Sequence, residues 1–106
     1  MWAFKTQPNF RVHGFFSVLA ITLGILLGIT HVEMAIIIFT IVLGISGELL
    51  NTAVEAMTDL ITTEWKTQAK VAKDVAAGMM LFIAFGSVAV GLFIFAPYLL
   101  KFFSRS

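Results

Sequence analysis

The chain has 106 residues, of which 59% are hydrophobic and 12% are charged, whereas charged residues make up roughly a quarter of a soluble globular domain. Its seven Lys and Arg against six Asp and Glu give a net charge of +1, too small a basic excess to suggest nucleic acid as a partner. The absence of cysteine excludes disulfides, zinc–thiolate sites and cysteine nucleophiles. A single small domain of this composition is expected to be an integral membrane protein.

Three apolar segments are expected to cross the bilayer as helices. The first covers residues 12–30, close to the roughly 20 residues that a spanning helix needs. The second covers residues 33–61, because apolar side chains continue at helical spacing beyond its uncharged first half, and its second half is amphipathic. The third, residues 75–100, contains no charged residue. The sequence therefore predicts an all-α membrane protein with three transmembrane helices in each subunit.

The polar segment 62–74, between the second and third apolar segments, is interpreted as a partly helical connection in water. It lies on the same side of the membrane as the N-terminus if the chain crosses three times. That side carries five Lys and Arg, and the other side carries two, Lys101 and Arg105. Because basic residues concentrate on the cytoplasmic side of membrane proteins, the N-terminus and the 62–74 connection are expected to be cytoplasmic.

Five polar residues of the second helix share one face, because they lie at offsets of 0, 3, 4, 7 and 11: Glu48, Asn51, Thr52, Glu55 and Asp59. This polar stripe extends for roughly 16 Å at about 1.5 Å per residue. One interpretation is a solvated face whose acids pair with Lys70 or Lys73. The functional interpretation is that carboxylates and an amide hold a hard divalent cation while one carboxylate acts as a general base. Spacing alone leaves open which acid has which role.

Lys70 and Lys73 form a cluster of positive charge of a size that suits a phosphate, with Asp74 beside it. The alternative is a topology signal that contacts anionic lipid headgroups. Mg²⁺, nucleotide phosphates and a base would together need the acids, the amide and the lysines. The chain has no GxxxxGK[ST] or GxGxxG motif, so a nucleotide site would be neither a P-loop nor a Rossmann cradle.

The segment from Glu48 to Asp59 closely resembles the signature of the prokaryotic diacylglycerol kinase family, with Glu, Asn, Thr, Glu and Asp in the same order and spacing. Ala72-Lys73-Asp74 and the small residues after it are similar to the second conserved block of that family. Asn9-Phe10-Arg11-Val12-His13 resembles the motif ahead of the membrane in its undecaprenol kinase branch. The resemblance covers nearly the whole chain.

This resemblance implies a homotrimeric helical bundle in the bacterial inner membrane, surrounded by membrane lipids. It further implies transfer of the γ-phosphate of ATP to a lipid alcohol, undecaprenol or diacylglycerol, with Mg²⁺, at sites shared between subunits. Glu48 matches the general base on the lipid hydroxyl. The matching nucleotide-site residues are Asn51, Glu55, Asp59, Lys73 and Asp74, and Glu55 also matches a metal ligand.

The chain departs from the family pattern in two respects. A second metal-binding Glu would fall at Gln7, and a neutral amide is a weaker Mg²⁺ ligand than a carboxylate. Members of the family also carry an amphipathic surface helix ahead of the position of Met1, and that helix contributes to the nucleotide site. Three explanations are therefore open: the start is misassigned, the sequence is truncated, or the nucleotide site is incomplete and the activity is low.

Two other functions are compatible with the sequence. One is a small proton or cation transporter subunit that uses Glu48 and Glu55 as a relay. The other is a non-catalytic assembly protein. His13 and His31 are interpreted as interface residues, because neither has a second His or a Cys at metal-binding spacing.

Overall fold

The computed structural model describes residues 8–62 and 64–104. Within these ranges the chain forms three helices, α1 (Pro8–Leu27), α2 (His31–Ile61) and α3 (Thr67–Ser104), and no strand. The prediction of an all-α protein with three helices is confirmed.

The turn between α1 and α2 is set by Gly28 and Thr30. Gly28 has a φ of 68°, in the left-handed region that glycine adopts without steric cost, so α1 ends at Leu27 and not at the predicted residue 30. Thr30 then caps α2. Its hydroxyl accepts a hydrogen bond from the Glu33 backbone N–H at 3.1 Å, and its own N–H donates to the Glu33 carboxylate at 2.9 Å. This capping box starts α2 at His31, two residues before the predicted segment.

The predicted connection, residues 62–74, is partly helical, as the sequence suggested. α2 ends at Ile61 and α3 begins at Thr67, so only residues 62–66 separate the two helices. Residues 67–74 contain Ala, Lys and Gln and no helix breaker, and these residue types favour helix. Lys70, Lys73 and Asp74 therefore lie in the first two turns of α3.

α3 continues through Pro97 to Ser104, four residues beyond the predicted segment. Near its end, the Tyr98 hydroxyl donates a hydrogen bond to the Glu33 carboxylate at the start of α2. This contact joins the start of α2 to the last part of α3, at the end of the two helices that is opposite to the polar stripe.

The helices pack with α2 in the middle, and α2 contacts α3 over a longer interface than it shares with α1. At the α2–α3 interface Gly47 is buried, and a β-carbon built on it would lie 2.4 Å from Ile83 Cδ1. Glycine at this position therefore allows the two helices to approach closely.

Most large apolar side chains point away from the helix interfaces. Among the described residues, the buried hydrophobic side chains are Ile37, Ala76 and Ile94, and many Phe, Leu, Ile and Val residues are more than 40% exposed. α2 and α3 are long and apolar enough to span a membrane, and α1 has a shorter apolar part, Arg11–Leu27. Helices satisfy their backbone N–H and C=O groups internally, and together with an apolar outer surface this is the arrangement of a membrane protein, since hydrocarbon replaces water as the solvent.

Candidate functional site

The polar stripe lies on α2 and passes from a buried to an exposed environment. Glu48 is only 6% exposed, Asn51 and Thr52 are half-buried, and Glu55 and Asp59 are exposed. α2 is continuous over this range, so all five predicted side chains belong to one rigid element. The polar stripe thus runs from the protein interior to the polar end of α2, next to the start of α3.

Glu48 faces His13 of α1. The Nε2 atom of His13 lies 3.7 Å from Oε2 of Glu48, which places a potential donor beside a buried carboxylate. The sequence did not predict this pairing. The available signal was His13 itself, a polar ring at the start of an apolar segment and the last residue of the Asn9–His13 motif.

Both side chains line a cavity of about 670 Å³ between the three helices. Its walls are mostly apolar, and Glu48 and His13 are the titratable side chains among the residues that line it. α1 contributes Val12, Phe16 and Ala20, α2 contributes Ile37, Ile41 and Gly44, and α3 contributes Met80, Ile83, Ala84, Val88 and Phe95. A carboxylate in such a wall can meet a polar group that is carried by an apolar molecule.

Asn51, one turn after Glu48, has an unsatisfied acceptor. Its Oδ1 atom is buried and has no hydrogen-bond partner within the described part of the chain. Buried acceptors of this kind are costly unless a ligand, an ion or water satisfies them. The atom is an oxygen donor of the type that hard cations prefer.

The exposed end of the stripe forms a second, polar pocket with the start of α3. This pocket has a volume of about 340 Å³, and its lining includes Asp59, Trp65, Lys70, Lys73 and Asp74. Here Lys73 Nζ donates a hydrogen bond to Asp59 Oδ1 at 2.7 Å, and Lys70 Nζ donates to Asp74 Oδ2 at 2.6 Å.

The two lysines predicted to bind phosphate are therefore each paired with a carboxylate. The pairing of a stripe acid with Lys73, which the sequence left as the alternative interpretation, occurs at Asp59. The hydrogen bond from Lys73 to Asp59 raises the pKa of the lysine above its usual value, so its ammonium is charged at neutral pH. An anion that binds Lys73 here must compete with the Asp59 carboxylate.

The predicted metal ligands are only partly within the described residues. Gln7 lies outside them, and Glu55 is exposed on α2. Over residues 8–62 and 64–104, no three His, Asp or Glu side chains come together in a geometry that could hold a metal ion. Glu55 and the unsatisfied Asn51 oxygen nevertheless fit Mg²⁺, which takes one or two carboxylates from proteins and other oxygen ligands from substrate phosphates and water.

Comparison with known proteins identifies the family. The sequence profile described as prokaryotic diacylglycerol kinase matches residues 1–95, a range that includes the polar stripe and the start of α3. This chain belongs to the prokaryotic diacylglycerol kinase family. The match covers Glu48, His13, Asn51, Lys70 and Lys73.

Three relatives of known name are similar to the chain. It is 42% identical over 101 residues to a protein of Synechocystis sp. named diacylglycerol kinase, and this match covers 94% of the chain and 58% of the relative. It is 40% identical over 95 residues to the undecaprenol kinase of Bacillus subtilis, with 90% and 77% covered. It is 39% identical over 72 residues to a diacylglycerol kinase of Haemophilus influenzae, with 68% and 61% covered. The chain thus spans about three fifths of two of these relatives and about three quarters of the third.

Proposed function

We propose that the chain is an integral-membrane lipid kinase that transfers the γ-phosphate of ATP to the hydroxyl group of a lipid, either undecaprenol or diacylglycerol. The observation that supports this most strongly is Glu48, a carboxylate only 6% exposed in the wall of a 670 Å³ apolar cavity. A lipid alcohol can place its chain among apolar side chains and its hydroxyl beside this carboxylate. The names of the relatives from Synechocystis and Bacillus agree with this class of reaction.

Glu48 has the role of general base in this proposal. Its carboxylate accepts the proton of the lipid hydroxyl while the hydroxyl oxygen forms a bond to the γ-phosphorus. The bond between that phosphorus and the β–γ bridging oxygen breaks, and ADP leaves with the electron pair. Phosphoryl transfer depends mainly on positioning and on neutralising charge, and a buried carboxylate on a continuous helix is well held.

The remainder of the polar stripe has the role of a nucleotide site. ATP lies along α2, with Asp59 and Asp74 near the nucleoside end. Lys73 contacts a phosphate, and Asn51 and Glu55 lie by the phosphates. Lys73 exchanges its Asp59 partner for a phosphate oxygen as the nucleotide enters. Bound Mg²⁺, held by Glu55 and the Asn51 oxygen and also by Gln7 if that amide reaches the site, would neutralise phosphate charge.

The assembly in this proposal is a homotrimer in the bacterial inner membrane. Helices within residues 12–30, 33–61 and 75–100 cross the bilayer, and the N-terminus and the α2–α3 connection are cytoplasmic. The exposed apolar faces of α1, α2 and α3 are available to lipid and to neighbouring subunits. Glu55 and Asp59, both exposed in one chain, would then take part in sites completed by a second subunit.

The test is transfer of phosphate from γ-labelled ATP to undecaprenol and to diacylglycerol by the purified protein in detergent, produced both from Met1 and from an extended start. Glu48→Gln removes the base without a change in size, and loss of general base catalysis typically lowers a rate by about 10²–10⁴-fold. The matched control is Glu33→Gln at the opposite end of α2, because a glutamine there preserves the capping box. We expect the Glu48 variant to lose activity and the Glu33 variant to retain it.

Two results would reject this function. The first is absence of labelled product with both lipids, and the second is full activity of the Glu48→Gln variant. Proton flux into liposomes without ATP, abolished by Glu48→Gln, would instead support the transporter hypothesis.

A further inference from the structure

We propose that His13 is a positioning residue for Glu48, holding one carboxylate oxygen so that the other faces the acceptor hydroxyl. The proposal rests on the function proposed above, in which Glu48 is the base. It assigns a role to a residue of α1, whereas the polar stripe and the polar pocket are built from α2, α3 and the connection between them.

The first support is the geometry of the contact. His13 Nε2 lies 3.7 Å from Oε2 of Glu48, so a small movement brings the ring N–H within hydrogen-bonding distance. The Ser17 hydroxyl donates to the backbone carbonyl of His13 at 2.7 Å and therefore leaves the imidazole ring without competition from that hydroxyl. The contact also bridges α1 and α2.

The second support is the space that α2 provides for the ring. Gly44, one turn before Glu48, is buried, and a β-carbon built on it would lie 3.9 Å from His13 Nδ1. The imidazole therefore packs directly over the backbone of α2 at Gly44. A large side chain at this position would occupy the volume that the ring now fills.

The third support is the chemistry of the surroundings. The facing wall from α3 consists of apolar and small side chains such as Met80, Ile83 and Ala84. Among the described residues that line the cavity, Glu48 and His13 are the titratable ones. In a medium of low polarity a charged carboxylate interacts strongly with a nearby donor. His13 is therefore the cavity-lining titratable group that is placed to orient Glu48.

Removal of the His13 imidazole is expected to lower the rate of phosphate transfer and to leave the affinity for the nucleotide unchanged. A misplacement of about 1 Å can cost on the order of 100-fold in rate, so loss of the imidazole donor is expected to lower kcat by about 10- to 100-fold. His13 does not line the polar pocket at Asp59 and Lys73, so the KM for ATP should change little.

Three substitutions separate a hydrogen-bonding role from a packing role. His13→Gln places an amide N–H near the position of Nε2, His13→Asn places it closer to the backbone near Nδ1, and His13→Leu keeps the bulk without a donor. If His13 positions Glu48, the glutamine variant should recover kcat to within a few-fold of wild type, and the asparagine and leucine variants should not. A role in packing alone predicts that leucine retains activity.

A cross-link tests the geometry without any measurement of activity. The chain has no native cysteine, so the pair His13→Cys and Glu48→Cys can be joined by a short bifunctional thiol reagent in membranes. The control pair combines His13→Cys with Leu49→Cys, whose side chain leaves α2 in a different direction and is 41% exposed. We expect the first pair to cross-link within one chain and the control pair to remain largely unlinked.

Each outcome gives a decision. Preferential cross-linking together with recovery by glutamine supports the proposal. Failure of the first pair to cross-link, or equal kcat for all three His13 variants in an active kinase, overturns the role of His13 and leaves the lipid kinase function standing. If the His13→Cys and Glu48→Cys pair cross-links but the wild-type protein phosphorylates neither lipid, the lipid kinase function is overturned, and the positioning role with it.

Discussion

Replacing Gly47 with valine is expected to destabilise the packing of α2 on α3. A β-carbon at this position would lie 2.4 Å from Ile83 Cδ1 and 3.3 Å from Met80 Sδ, so Ile83 must change its rotamer or the helices must separate. Overpacking of this kind typically costs about 1–3 kcal/mol. For Gly47→Ala, about 1 kcal/mol of improved helix propensity offsets part of that cost, whereas valine adds two methyl groups to the overlap.

Gly86 provides the matched control on α3. A β-carbon there meets no described atom within 4 Å, so Gly86→Ala carries no overpacking cost within one chain, and Gly86→Val starts from open space. Stability is measured by SDS titration of the protein in detergent micelles, with helix content followed by circular dichroism. Equal stability of the Gly47→Val and Gly86→Val variants would show that the close approach of α2 and α3 is not required.

Four further changes test the turn and the polar pocket. Thr30→Ala should lower the stability of the helical hairpin by about 1 kcal/mol, because it removes a helix cap, while Thr30→Ser should not; thermal unfolding in detergent distinguishes the two. Gly28→Ala should cost about 1–2 kcal/mol because its φ of 68° is unfavourable for a residue with a β-carbon, and Gly28→Asn should cost less in the same measurement. Combining Asp59→Lys with Lys73→Asp keeps the ion pair and reverses its charges. The free energy of unfolding should therefore stay close to that of the wild type, while phosphate transfer from ATP is lost. Retained phosphate transfer would contradict a phosphate role for Lys73. The hydrogen bond to Asp59 raises the pKa of Lys73. The ion pair therefore contributes its full stabilisation at a pH below the ordinary lysine pKa, and this stabilisation is lost as the pH rises through the raised pKa. The Lys73→Met variant should lack this alkaline loss of stability in a pH series.

The helical architecture follows from the sequence because long uncharged segments and the spacing of apolar residues identify helices directly. The ends of the helices were harder to predict. Gly28 ends α1 early because of its left-handed backbone, and the pattern Thr30-x-x-Glu33 would have located the start of α2 as a capping box. The residues after Thr67 are polar but have high helix propensity, and this part of the predicted connection is helical, as expected.

The candidate site was predictable where it lies on one helix. The positions of Glu48, Asn51, Glu55 and Asp59 on one face follow from helical periodicity. Pairings between helices depend on which side chains pack together, and no spacing rule connects His13 to Glu48 or identifies Asp59 as the partner of Lys73. The gradual exposure along the stripe also required the packing of α1 and α3 around α2.

The unbroken course of α2 fixes the distance between the two ends of the stripe. Eleven residues separate Glu48 from Asp59, a rise of roughly 16 Å on a helix, and no loop or proline lies between them. The helix therefore keeps the apolar cavity and the polar pocket at a fixed distance, because it contains no hinge that could bring them together. A molecule that contacts both the apolar cavity and the polar pocket must itself extend over that distance. Otherwise a second chain must supply binding groups that lie between the two.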